Sequence, residues 1–342
     1  MLFVAAILIL LFGAGLIFNP HIAVLGIKSG YSLCFDVLFP SLFPFMIISE
    51  ILILTPAGRA LALPLKILFS FLKLPRELAE LFLTSILGGY PVGAKALSIL
   101  KESGEVSDGE ASDFIRFLIN AGPGFAIMAV GRMLYGSVGL GVIFYVSQLF
   151  SSLLVGKFFY GRGRKVQPNL KQKKYMSYSD ALVTAVYDAS QSMIIICGYV
   201  FLFSIISAFV NFLFKGNPLS LGITGILEVT YAVGLLKNMP FGILFTAFLI
   251  SFGGISVICQ VKSICQKSGI ATGGIMAVKL LQGICSAAIT FILLKFFPVV
   301  LSAGAIAAAP IKIYSSNRIL MFFSIAAMFV MSFCHKENNL EI

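Results

Sequence analysis

The chain has 342 residues, 59% of them apolar and 11% charged, with a mean hydropathy of +1.00. Ordinary soluble domains hold roughly 45 to 50% apolar residues, so a soluble fold is excluded; apolar runs of roughly 16 to 25 residues also exclude a transmembrane barrel, whose segments alternate over about 10. The formal net charge of +11 falls mainly at helix ends and in one linker, which points to membrane orientation and not to nucleic acid.

The predicted elements begin with MLFVAAILILLFGAGLIF, which lacks a basic n-region and runs into Asn19-Pro20-His21. Residues 1–29 therefore read as a retained transmembrane helix and not as a cleaved signal. A first unit, 30–160, holds a span near Tyr31 to Thr55, an amphipathic piece from Arg59 to Leu74, the string GGYPVGAK at 88–95, and a polar turn at 101–113. A broken span from Phe114 to Leu134 and a span from Val138 to Phe159 complete it. The linker at 161–177 opens with GRGRKVQPNLKQKK, six basic residues without an acid, and the positive-inside rule puts it in the cytoplasm. A second unit, 178–297, repeats the order: a long helix from Asp180 to Phe214, an interrupted segment from Leu221 to Lys237, a broken span from Phe241 to Lys267, and a span from Ile275 to Phe297. Residues 298–342 read as C-terminal helices and tail.

Short strings support a duplication. FDVLFPS at 35–41 aligns with YDASQSM at 187–193, which sets Asp36 against Asp188, and LINAGPGFAI at 118–127 aligns with ISFGGISVIC at 250–259. Three crossings per unit would invert the second copy. The expected fold is an all-α polytopic membrane protein, an inverted repeat with two re-entrant hairpins and broken transmembrane helices around a midplane site.

GGYPVGAK carries the first candidate site. Leu78 to Leu87 and Ala94 to Lys101 are too short for a core that needs about 20 helical residues, so they fit two arms of a hairpin whose tip contains Gly89, Tyr90, Pro91 and Gly93. Irregular backbone at that depth needs a cavity or protein around it. Gly93 is expected to open the second arm, whose unpaired amides would attract an anion beside Lys95. The other reading of the tip is a plain extramembrane turn. A nucleotide-binding P-loop is excluded, because Ala94 stands where the pattern from Gly88 requires lysine.

Asn120 and Gly122 in the first broken span, and Gly253, Gly254 and Ser256 in the second, are the matching candidates; glycine at helix crossings also serves close packing. Intramembrane acids are functional by default. Glu228, at the expected tip of the second hairpin, would contact a ligand or coupling ion or else pair with Lys95. Asp36 and Asp188 divide between ligand contact and a structural or proton-relay role, and Glu50 reads as interfacial. The six cysteines form no CxxC pair and read as small buried hydrophobes. Two histidines near the chain ends argue against a metal centre. With neither a Ser-His arrangement nor HExxH, the chain is not expected to be an enzyme or to hold a cofactor.

FDVLFPSLFPFMIISEIL, GGYPVGAK, FLINAGPGFAIMAVG, ILEVTYAVGLL and SFGGISVICQV, in that order, resemble the YlbJ-type sporulation integral membrane proteins of the nucleoside-recognition, or Gate, domain group. The resemblance spans about residues 30 to 297. It implies a fold like that of concentrative nucleoside transporters, association as homotrimers, and transport of dipicolinic acid across a forespore-surrounding membrane. A nucleoside or another small solute, coupled to sodium or protons, and a non-transporting scaffold for spore-envelope assembly are the competing expectations.

Overall fold

The computed structural model describes residues 2–76, 78–102, 104, 106–160, 175–214, 217–236 and 241–297. The basic run at 161–174 and the expected C-terminal helices at 298–342 lie outside the described residues. Among the described residues every regular element is a helix, and five stretches are long and apolar enough to cross a membrane: Pro20–Leu54, Val138–Phe158, Tyr178–Leu213, Gly242–Lys267 and Ile275–Phe296.

Helix α1 (Leu2–Phe18) ends before Pro20, the first residue of α2 (Pro20–Ser32). The chain then widens into a π-helical stretch, π1 (Leu33–Leu38), before α3 (Phe39–Leu54). Pro40 lacks the N–H that would bond the carbonyl of Asp36, so the α ladder loses a rung there and the local winding changes. The expected span from Tyr31 is thus part of a longer rod that starts at Pro20. Two short helices, α4 (Ala57–Leu61) and α5 (Leu63–Phe71), lead to the paired α6 (Leu78–Gly88) and α7 (Tyr90–Glu102).

Ser107 and Glu110 form a reciprocal cap that starts α8 (Asp108–Leu118) inside the polar turn. A break separates α8 from π2 (Gly124–Leu134), and α9 (Val138–Tyr160) follows. The second half contains α10 (Tyr178–Leu213), the short pair α11 (Pro218–Leu227) and α12 (Val229–Leu236), the broken pair α13 (Gly242–Phe252) and α14 (Gly254–Lys267), and α15 (Ile275–Phe296).

Close backbone approaches hold the bundle together where glycine permits them. A side chain at Gly124 would overlap the carbonyl of Ser41, so π2 presses directly on α3. Gly131 and Gly141 do the same between π2 and α9. Large apolar side chains on the outer faces, such as Ile67, Phe71, Val183 and Ile194, remain exposed, as suits a surface whose solvent is lipid.

Candidate functional site

The two short helix pairs turn on single residues, and each turn rests on a helix break. Gly89, at φ +87°, joins α6 to α7. A Cβ on Gly89 would lie 3.3 Å from the amide nitrogen of Gly122, in the break between α8 and π2. In the second half Glu228 joins α11 to α12, and a Cβ on Gly254 would lie 3.3 Å from the carbonyl oxygens of Ile226 and Leu227. Gly253 and Gly254 both have positive φ, 83° and 77°, which only glycine adopts without strain. Tyr90 links the two sets: its hydroxyl donates to the carbonyl of Ile250, and its ring lies beside Gly253.

Gly89, Tyr90, Gly122, Glu228, Gly253 and Gly254 therefore meet in one buried region, with Asn120 behind them. The turn is tighter than GGYPVG suggests. Helix α7 begins at Tyr90 and not near Gly93, because Pro91 has no N–H to leave unpaired in a first turn. The amide of Gly93 donates to the carbonyl of Gly89 at 3.4 Å, and a Cβ there would come within 2.6 Å of the Leu118 carbonyl and Ser85 Oγ. Gly93 is a packing position, not a free anion seat.

Lys95 lies one turn along α7 from Pro91, and both line a cleft of about 230 Å³ between α7, α10 and α14. Its Nζ is 2.7 Å from Oε1 of Glu50 on α3 and 2.7 Å from Oδ2 of Asp188 on α10. The partner of Lys95 is thus not Glu228, and Glu50 is buried, not interfacial. Glu102 and Lys267 also line the cleft, together with the neutral Gln191 and Gln260. Two cations and two carboxylates face it, with Glu50 held behind Lys95, so the cleft is charged without being strongly basic.

Glu228 acts locally as a helix cap: its Oε2 accepts the backbone N–H of Tyr231 at 2.6 Å. Ser256 is buried and accepts from Gln260 Nε2 at 3.4 Å. Asp36 is exposed on π1, away from the cleft, although the alignment set it against Asp188. Of the two relay candidates, only Asp188 reaches the cleft.

One comparison bears on this arrangement. The sporulation integral membrane protein YlbJ of Bacillus subtilis (strain 168) is 25% identical over 326 aligned residues, covering 82% of this chain and 80% of the relative. The chain is similar to this relative over most of its length. It is a multi-pass membrane protein, as the integral membrane relative and the five apolar spans agree. No protein-family model matches it, and no solved structure matches it.

The chain also holds a buried polar network that the sequence reading passed over. Lys279 on α15 is fully buried; its Nζ donates to the Ile119 carbonyl at 2.6 Å and to Gln282 Oε1 at 2.7 Å. Gln282 Nε2 donates to Asn120 Oδ1 at 3.0 Å, and Asn120 Nδ2 donates to the Phe117 carbonyl at 2.9 Å. Gln148 on α9 accepts the Ala121 N–H and donates to the Ala121 carbonyl, at 3.1 and 2.6 Å. Asn120, expected to offer neutral hydrogen bonds to a ligand, spends them on the protein. The signal was Lys279, Gln282, Ser286 and Thr290 on one face of an otherwise apolar helix.

Proposed function

We propose that this protein carries a small organic anion across a membrane, dipicolinic acid before others, through the cleft at Lys95. The relative's printed name ties it to sporulation, and the forespore-surrounding membrane is the matching location. The observation that carries the reading is the Lys95 ammonium, exposed at a cleft while bridged to carboxylates from two other helices. A solute carboxylate is chemically equivalent to Asp188 and replaces it at Lys95, while Lys267 offers a second cation for a second carboxylate. Binding then unties α7 from α10 and α3 keeps its own contact through Glu50.

An inverted repeat with two re-entrant hairpins is supported by how contacts exchange between halves. Pairing α3 with α10, α6 with α11, α7 with α12, α8 with α13, π2 with α14 and α9 with α15 maps the α7–α14 contact onto α12–π2. The same exchange maps α8–α15 onto α13–α9 and α3–π2 onto α10–α14, as a two-fold relation requires. The short helix pairs are the hairpins of that scheme, turning at Gly89 and Glu228, and the transporter-like placement of broken helices follows.

A nucleoside is the second reading, favoured by the neutral amides of Gln191 and Gln260 and by the balanced charge of the cleft. Equilibrium binding to the purified chain separates the two, with dipicolinate, nucleosides and simple dicarboxylates compared. For the anion reading, dipicolinate binds and Asp188→Asn tightens it, because a competing carboxylate is gone. Nucleoside binding unaffected by dipicolinate would transfer the assignment to the second reading, and blank titrations with all three solutes would leave a scaffold role in spore-envelope assembly. Uptake into proteoliposomes then distinguishes carriage from binding alone.

A further inference from the structure

The break after α8 leaves carbonyls without helical partners at the negative end of a helix dipole. Neutral donors take most of them: Asn120 and Ser152 on Phe117, Ser85 on Leu118, and Gln148 on Ala121. The carbonyl of Ile119 is different, because it receives the charged Nζ of Lys279. That ammonium is fully buried, and among the described residues no carboxylate pairs with it. Burying an unpaired charge is costly. What offsets the cost here is a set of neutral oxygens, the Ile119 carbonyl and the Gln282 amide at 2.6 and 2.7 Å, at a helix C-terminus.

Oxygens of this kind, unwound carbonyls at the C-terminal ends of half-helices, are what broken transmembrane helices use to hold a coupling cation. We infer that the Lys279 side chain supplies the cation of the first helix break, tethered there in place of an exchangeable sodium ion, so that the fold is complete without sodium. Gln282 positions it and, through Asn120, ties α15 to the break. The inference rests on the transport reading only where it concerns coupling: solute binding would not be driven by sodium through this break.

Thermal unfolding of the purified full-length chain tests it, in sodium chloride against choline chloride at equal concentration and without solute. Wild type is expected to unfold at the same temperature in both salts. Lys279→Met, which keeps the length and removes the charge, is expected to unfold several degrees lower in choline and to regain part of the loss in sodium or ammonium chloride, since a cation that binds only the folded state stabilises it. A saturable, sodium-specific rise in wild type would overturn the inference, as would a Lys279→Met protein as stable as wild type and indifferent to the salt. If Lys279→Met yields no folded protein, the wild-type comparison decides. Because no solute is present, failure here leaves the anion reading standing, and blank solute titrations leave this inference standing.

Discussion

Gly89 and Gly122 face each other backbone to backbone: a Cβ on either would stand 3.3 Å from the amide nitrogen of the other. The turn between α6 and α7 and the break after α8 are therefore one joint. Gly89→Ala must hold a left-handed backbone, which costs a residue with a Cβ roughly 1 to 2 kcal/mol. Gly122→Ala adds a collision, because its Cβ would come within 2.8 Å of the Leu87 carbonyl. Both variants are expected to unfold below wild type in a thermal melt, with each shift several times that of Gly198→Ala, a position where a Cβ meets nothing within 4 Å.

Removing Lys95 strands a buried carboxylate. Breaking a buried pair by deleting one partner costs roughly 3 to 5 kcal/mol, and because the Lys95 side chain is 24% exposed, Lys95→Met is expected near the lower end. Adding Glu50→Gln to Lys95→Met should restore most of that stability, since Asp188 is itself partly open to the cleft. Melting curves of the single and double variants measure the recovery; an equal loss in both would show that the Lys95–Glu50 pair is not what the single variant breaks.

Glu228 offers a way to separate a cap from a ligand contact. Glu228→Ala removes the acceptor of the Tyr231 N–H and should cost about 1 kcal/mol. Glu228→Gln keeps an acceptor oxygen and is expected to melt close to wild type. If Glu228→Gln also binds solute normally, its charge has no part in recognition.

The proposed hairpin arrangement makes a prediction about sides. In a background without native cysteines, Arg76→Cys before α6 and Gly109→Cys at the start of α8 should react with an impermeant thiol reagent from the same face of the membrane. Labelling from opposite faces would mean that α6 and α7 cross, and the re-entrant reading would fall.

Most of the element order was legible because each boundary carries its own chemistry. Gly253 with Gly254 breaks a helix where the glycine pair stands, and the apolar runs mark the long spans; the starts at Pro20 and Pro218 were missed, because residues 1–29 read as one helix and the interrupted segment read as beginning at Leu221. The start of α7 was misread because GGYPVG looks irregular throughout, whereas Pro91 is compatible with a first helical turn and only Gly89 needs the left-handed backbone. Partners were harder. Glu50, Lys95 and Asp188 come from three elements far apart in the chain, and no local pattern says which acid meets which base. Lys279 was missed because a lysine in the first turns of a long apolar helix looks like an edge residue until Gln282, three positions on, is read with it.

The length of α10 bears on how solute would arrive. Its 36 residues rise about 54 Å, against a hydrocarbon layer about 30 Å thick. The opening turns, Tyr178 to Ser192, are the polar ones, and they bring Asp188, Gln191 and Ser192 to the cleft. Part of that length must stand outside the hydrocarbon layer; on the transport proposal the polar opening turns are that part, the chamber beside them is a harbour facing one aqueous compartment, and the glycine joints beyond Tyr90 are the inner wall that a passenger would cross.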